Sequence, residues 1–269
     1  MELSIAVNNY KNPELLRLCL DSIKKNLHGI EYETIVADSA TEEATEMMMR
    51  EDFPEIKFFP FSKNVGFQAL LNKGLKESSG KYILLLNGDI IITPNSVERM
   101  VQYMRNNPRI GMLGPKQLNF DESLQFSCFH FYKPITILYR RTFLNIFKFA
   151  KRHLDWFLMR DYDHKEPKEV DWLMGSAILV SREASEKVGP MDERFFMYME
   201  DVDWCRRFWE NGFRVVYYPL ASMYHYHGKG SGKAGFLRSI VSNRLTWIHI
   251  SSAIKYFVKY WGKALPEHN

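Results

Sequence analysis

Tyr82-Ile83-Leu84-Leu85-Leu86-Asn87-Gly88-Asp89 joins an unbroken apolar run to a polar, glycine-containing turn that ends in a carboxylate. A short apolar run bounded by turn residues is the pattern of a strand covered on both faces. Working outward, Leu3–Val7, Tyr32–Ala37 and Ile56–Phe59 read the same way. Helical stretches separate them. Asn12-Pro13 supplies a capping side chain and a proline at the first helical position. Leu15, Leu16, Leu18, Leu20, Ile23 and Leu27 then recur at helical spacing. Thr41–Met49 and Gly66–Glu77 read as two further helices. This β-α alternation predicts an α/β fold with a parallel sheet flanked by helices. Ligands of such sheets bind at the carboxyl ends of the strands, here just after Val7, Ala37 and Leu86.

Downstream, Thr93-Pro94 opens a helix that runs to about Asn107, and Gly111–Pro115 returns as a strand. From Gln117 to Lys168 the pattern degrades. That stretch holds many aromatics and a basic cluster (Arg140, Arg141, Lys148, Lys151, Arg152) without strand alternation, and reads as a helical insertion. Order returns with a strand at Val170–Ser181, helices near Glu183–Val188 and Asp201–Asn211, and a strand at Arg214–Tyr218.

Composition narrows the class. The chain has 269 residues, 46% hydrophobic and 25% charged, which excludes a disordered chain. A formal charge of +4 without a long basic run argues against a nucleic-acid partner. Three widely spaced cysteines fit reduced, buried thiols of a cytosolic protein better than a disulfide framework. The first residues read directly into a strand rather than into a signal peptide. No stretch reaches the roughly 18–20 uninterrupted apolar residues of a membrane span. Phe236–Trp261 mixes aromatics with Arg and Lys, and has two readings: a helix packed on the body, or an amphipathic helix on an anionic membrane.

Four places carry groups suited to chemistry. Asp89 sits at the sheet's ligand edge, where it can bind a hard cation or merely cap a turn. Asp38, at the end of Tyr32–Ala37, can accept hydrogen bonds from a nucleobase or cap the next helix. Glu200-Asp201-Val202-Asp203 opens a helix, where the macrodipole favours acids. Asp203 precedes Arg207 by four residues, a surface ion-pair spacing. Asp201 lies off the apolar stripe and has the freedom a general base needs. Tyr224–Gly232 carries His225 and His227 among glycines and Lys229. It reads as a polar surface loop, or as the source of an imidazole that completes a metal site with Asp89.

These segments, in this order, resemble the family 2 glycosyltransferases, particularly the bacterial rhamnosyltransferase-like branch, across Leu3–Ser231 and more weakly in Gln117–Lys168. The resemblance implies the glycosyltransferase-A fold: a Rossmann-like, mostly parallel central sheet flanked by helices, with a helical insertion and C-terminal helices. It implies a catalytic domain over 1–235, in which 1–116 binds nucleotide, 117–168 is the variable insertion and 169–235 serves the acceptor; 236–269 is a helical tail. Val7-Asn8-Asn9-Tyr10 stands where the family has its opening nucleotide-contact strand, with the order altered. Asp38 matches the base-binding aspartate. Asn64-Val65-Gly66-Phe67 with Asn72 is similar to the signature beside the donor, and Asn87-Gly88-Asp89 to the Asp-x-Asp metal motif with only its last acid. Trp172 and Gly175 fall in the acceptor-side segment, as do Glu200 and Asp203 of the Glu-Asp-x-Asp motif. In that motif Asp201 is the catalytic base. Pro219-x-Ala221-x-x-x-His225 has the spacing of the late metal-binding histidine, with His227 as the alternative ligand.

The resemblance thus implies an inverting enzyme that moves one sugar from a nucleotide-diphosphate donor, with dTDP-rhamnose the first candidate, to a glycan or lipid-linked glycan acceptor. Its cofactor would be Mg²⁺ or Mn²⁺ on Asp89 and His225. It would work in bacterial surface polysaccharide synthesis, in the cytoplasm or peripherally on the inner face of the plasma membrane. A nucleotidyltransferase would need a glycine-rich, arginine-containing loop where Asn8–Pro13 stands. A processive synthase would need a Gln-x-x-Arg-Trp motif, which the chain lacks. The rival from another class is a non-catalytic nucleotide- or glycan-binding protein on the same fold.

Overall fold

The computed structural model describes residues 1–226 and 244–267. Its first half alternates as expected: β1 (Leu3–Tyr10), α1 (Pro13–Asn26), β2 (Tyr32–Ser39), α2 (Glu43–Asp52), β3 (Lys57–Phe61), α3 (Phe67–Glu77) and β4 (Tyr82–Asn87). The four strands pair in parallel in the order β3-β2-β1-β4. Side chains of β1 alternate between two cores. Leu3, Ile5 and Val7 pack with Leu16, Leu20 and Ile23 of α1, while Ala6 faces Leu71 of α3 on the other side. Tyr82, Leu84 and Leu86 likewise oppose Ile83 and Leu85. Burial on both faces is why these strands are continuous apolar runs. On α3, a Cβ at Gly74 would lie 2.6 Å from that of Ala6, so the glycine lets helix and strand touch directly. Asn12 caps α1 through the Leu15 N–H. Leu18, expected in the apolar stripe, instead points outward on α1, 48% exposed.

The second half is more irregular. A three-residue strand β5 (Ile90–Ile92) precedes α4 (Ser96–Asn106) and the long β6 (Ile110–Leu118). The expected insertion begins with two-residue strands β7 (Leu124–Gln125) and β8 (Cys128–Phe129). It continues as α5 (Pro134–Arg141), a 3-10 turn (Phe143–Ile146) and α6 (Lys148–Phe157). Then come β9 (Lys168–Glu169), β10 (Trp172–Leu173), β11 (Ala177–Ser181), α7 (Arg182–Val188), α8 (Glu200–Glu210), β12 (Arg214–His225) and α9 (Arg244–Lys259). The main sheet continues β4-β11-β6-β12-β5. There β11 is antiparallel to both neighbours and β5 antiparallel to β12, so its outer half is mixed.

Two strands differ from expectation. Val170–Ser181 is broken at Met174–Ser176. The Met174 N–H donates to Ser127, the Gly175 N–H to Asp201, and Ser176 accepts from the Asn87 N–H. The strand expected at Arg214–Tyr218 runs on to His225, with an irregularity between Tyr218 and Ser222. Cys19, Cys128 and Cys205 are buried free thiols. The tail helix α9 packs on the body through Ala253, Tyr256 and Tyr260. Residues 236–243, where that helix was expected to begin, lie outside the described residues. Among the described residues no helix is long and apolar enough to cross a membrane.

Candidate active site

Beyond β1 the order of strands reverses: the chain moves outward through β2 and β3, then returns to place β4 on the other side of β1. Such a switch point opens a crevice at the carboxyl ends of the strands. Register decides what lines it. Asn8 is opposite Asn87, Asn9 opposite Asp38, and Tyr10 opposite Ser39. The Asn8 amide donates to Asn87 Oδ1 at 2.9 Å, the Asn9 amide to Asp38 Oδ1 at 2.8 Å, and the Gly88 N–H to the Asn8 carbonyl at 2.8 Å. The resulting cleft is lined by Asn9, Tyr10, Asn64, Gly66, Phe67, Asn87, Gly88 and Asp89 among others. All eight were expected from the sequence. Asp38 is fully buried beneath Asn9, one carboxylate oxygen has no hydrogen-bond partner among the described residues, and burial pushes its carboxyl up.

One wall depends on backbone geometry. Gly66 has φ +89°, and a Cβ there would lie 2.5 Å from the Phe196 carbonyl, which also accepts the Phe67 N–H at 2.9 Å. Asn64 Oδ1 accepts the Gly66 N–H at 3.0 Å and fixes the turn. Asn72 does not line the cleft. Its amide donates to and accepts from the Met191 backbone at 2.9 and 2.8 Å, tying α3 to the segment that leads into α8.

Asp89 and His225 meet because β5, which starts just after Asp89, pairs with the end of β12. His225 Nε2 lies 3.4 Å from Asp89 Oδ1, an oxygen that is buried and has no hydrogen-bond partner among the described residues. Gln125 spends its amide N–H groups on the His225 and Asn119 oxygens. Its carbonyl oxygen therefore accepts from His225 Nδ1 at 2.9 Å. That leaves the lone pair on Nε2, facing Asp89. No sequence pattern marks Gln125, which sits in a two-residue strand with no alternation to read. Among the described residues no three His, Cys, Asp or Glu side chains converge on a metal position. The pair itself, an orphaned carboxylate oxygen beside an imidazole held in the ligating tautomer, fits a cation that takes its remaining ligands from phosphate and water. His227, Lys229 and the glycines around them lie outside the described residues.

Across the cleft, Tyr198 and Met199 both adopt left-handed backbone, at φ +70° and +69°, immediately before α8. Strain of this kind in non-glycine residues gathers at functional sites. Asp201, half-buried, accepts the Gly175 N–H at 3.1 Å and the Val202 N–H at 2.9 Å. Burial pushes its carboxyl up to about 6 despite those bonds. A Cβ on Gly175 would touch both Phe67 of the cleft wall and Asp201, so the break in the strand brings this acid to the cleft. Glu200 is buried, and burial together with the neighbouring Asp201 charge raises it well above the carboxylate range.

Two residues expected on the acceptor side have their side chains engaged in packing. Asp203 is fully buried and turned away from Asp201. It binds Arg207 at 2.9 Å, Lys259 at 2.5 Å and the Tyr260 hydroxyl at 2.9 Å. The expected pairing with Arg207 is present, joined by two α9-end partners that sequence spacing could not reveal. Trp172 is buried, stacks on Phe129 at 4.3 Å and donates to the His130 carbonyl, clasping the insertion to the body.

Residues 4–189 match the profile of glycosyl transferase family 2. The chain is 27% identical, over 81% of its length and 74% of the relative's, to the N-acetylglucosaminyl-diphospho-decaprenol L-rhamnosyltransferase of Mycobacterium tuberculosis. It is 24% identical to the rhamnosyltransferase WbbL of Escherichia coli, covering 71% of this chain and 67% of that one. Among solved structures, S. aureus TarS superposes with a TM-score of 0.61 at 15% identity, over 84% of this chain and 36% of TarS. GalNAc-T7, crystallised with UDP, GalNAc and Mn²⁺, gives 0.60 at 14% identity, over 84% and 44%. The chain thus spans less than half of either structure and shares the glycosyltransferase-A fold with them. A profile match over most of the chain, on that fold, makes this protein a member of glycosyl transferase family 2.

Proposed function

We propose that the protein is an inverting glycosyltransferase that uses a nucleoside-diphosphate sugar. The observation that carries this reading is the arrangement around the switch-point cleft. Asp89 lines the cleft with His225 beside it, and Asp201 lies next to Gly175 near the Phe67 wall, where its hydrogen bonds among the described residues come from backbone N–H groups. Asn9, Asn64 and the exposed Tyr10 ring bind the nucleoside, and Asp38, buried beneath, orients the Asn9 amide toward it. Asp89 and His225 would hold Mg²⁺ or Mn²⁺, which when bound neutralises charge on the departing diphosphate.

The rest is done by the chain's own groups. Phe67 and the Gly66 turn shape the wall beside the sugar. Asp201 removes the proton from the acceptor hydroxyl as its oxygen forms a bond to the anomeric carbon. The bond from that carbon to the diphosphate oxygen breaks, the electron pair leaving with the nucleoside diphosphate. A single displacement inverts the centre. A carboxylate raised to about 6 is a stronger base than an ordinary one and is still ionised at neutral pH. The names of the two rhamnosyltransferase relatives support rhamnose as the sugar, for which dTDP-rhamnose is the donor proposed, and the mycobacterial relative's name supports a lipid-diphosphate-linked glycan as acceptor. A role in surface polysaccharide assembly, and peripheral membrane contact from the cytoplasmic side, go with that acceptor.

The test is a transfer assay with a panel of nucleotide sugars and a prenyl-diphosphate-linked N-acetylglucosamine acceptor, with and without a chelator. Turnover of one donor, stopped by the chelator and giving a product of opposite anomeric configuration, is expected. Retained configuration would refute the single displacement. Donor binding without turnover on any acceptor would favour the non-catalytic alternative.

A further inference from the structure

The insertion carries an outer face that the body does not cover. Seven of the nineteen exposed large apolar side chains among the described residues fall between Ile135 and Trp156. They are densest around the 3-10 turn and the start of α6. Phe143 is 68% exposed, Ile146 62% and Phe149 57%, and Phe147 stacks on Phe149 rather than on the core. Side chains that size are normally turned inward, and a cluster of them marks an interaction surface.

Charge identifies the partner. From Ser123 to Leu154 there is no Asp or Glu. Lys148, Lys151 and Arg152 are exposed beside the phenylalanines, and none forms an ion pair with a described residue. Exposed apolar side chains ringed by uncompensated cations fit the boundary between anionic headgroups and acyl chains. The tail helix makes the contrast. It also shows exposed apolar residues, with Ile254 at 59% and Val258 at 68%, but its lysines are engaged by the body: Lys255 donates to the Arg194 carbonyl and Lys259 binds Asp192 and Asp203.

We propose that the face formed by the 3-10 turn and α6 docks this protein on an anionic lipid surface, with the phenylalanines entering the headgroup boundary and Lys148, Lys151 and Arg152 contacting lipid phosphates. The insertion is rooted at β8, paired with β10, which ends two residues before Gly175 and Asp201's anchor. Docking here deepens the reading of a lipid-linked acceptor, but lipid binding is measured without donor or acceptor and stands or falls separately from transfer.

The experiment is co-sedimentation of the full chain with phosphatidylcholine vesicles and with vesicles containing phosphatidylglycerol, at low and high salt. Wild type is expected to bind the anionic vesicles, more weakly at high salt, and to ignore phosphatidylcholine. Phe143→Ser with Phe149→Ser, and separately Lys148→Glu with Lys151→Glu, should each lower binding at least tenfold, about what losing two cationic contacts costs. Ile254→Ser with Val258→Ser should leave binding unchanged. Circular dichroism confirms folding of every variant, all of which alter exposed side chains. No binding to anionic vesicles by wild type overturns the proposal, as does loss of binding in the tail variant alone. Concentration-dependent dimerisation abolished by Phe143→Ser with Phe149→Ser, without vesicle binding, would reassign the face to a second copy.

Discussion

The first turn of α8 presents the same chemical group to two regions of the molecule, in opposite circumstances. Toward the cleft, Asp201 is hydrogen-bonded among the described residues by backbone N–H groups alone, and burial raises its carboxyl to about 6. Toward the C-terminal helix, Asp203 is enclosed by Arg207, Lys259 and Tyr260. Two residues of spacing separate a carboxylate free to take a proton from one committed to holding helices together. The difference teaches that the acids of Glu-Asp-x-Asp do not share one environment. Its members divide between the cleft side and the packed interior according to which face of the helix they occupy.

The contrast can be broken by substitution. The largest effect expected is in Asp201→Asn, which keeps the shape but cannot accept the proton. Steady-state assays should show the transfer rate falling by about 10²–10⁴, while thermal unfolding stays near wild type. Asp203→Ala should do the reverse. It leaves Lys259 and Arg207 facing an empty site, and denaturant unfolding should show a loss of about 3–5 kcal/mol, the usual cost of breaking a buried pair. Activity per folded molecule should change far less. Gln125→Ala should release His225 from its tautomer and lower Mn²⁺ affinity by about 10–100-fold, as loss of a ligand's orienting partner does, read by calorimetry.

The smallest effect is a pH dependence. Only ionised Asp201 accepts a proton, so the rate should drop below about pH 6, by about tenfold per pH unit. Stability moves the other way over the first part of that range. Because folding raises this carboxyl, the folded state binds protons more readily than the unfolded one as pH falls from about 6 toward the ordinary carboxylate range, and gains stability there. Asp192 has the opposite sign. Arg194 and then Lys259 hold its carboxyl below the usual range, so its contribution is lost only at still lower pH. A rate profile that falls near pH 6 while unfolding measurements show no loss separates the two sites.

Most of the first half was legible because β1, β2 and β4 are covered on both faces, and that burial writes itself as apolar runs ending at Asn9, Asp38 and Asn87. The cleft residues followed from the strand ends. What escaped notice is stabilised from a distance. β5, β7, β8 and β10 have two or three residues each and exist through pairing with remote strands, so no local period announces them. Gln125 reaches His225 across 100 residues of chain, and Lys259 reaches Asp203 across 56. Trp172 lies next to the motif that suggested an acceptor contact, yet its ring is consumed by Phe129 and Tyr132. Spacing could rank Asp201 above Asp203 as a base only through the apolar stripe and Arg207; the backbone N–H groups that hold Asp201 come from a strand break invisible in the sequence.

The most direct test of the central claim, that the strand-end cleft binds a nucleotide through a metal on Asp89 and His225, is calorimetry. Nucleoside diphosphates and their sugars would be titrated into wild type, Asp89→Ala and His225→Ala, with and without Mn²⁺. The account predicts Mn²⁺-dependent binding of one nucleotide by wild type, weakened at least tenfold in both folded variants. Equal binding by wild type and Asp89→Ala, or no binding of any nucleotide by folded wild type, would contradict it.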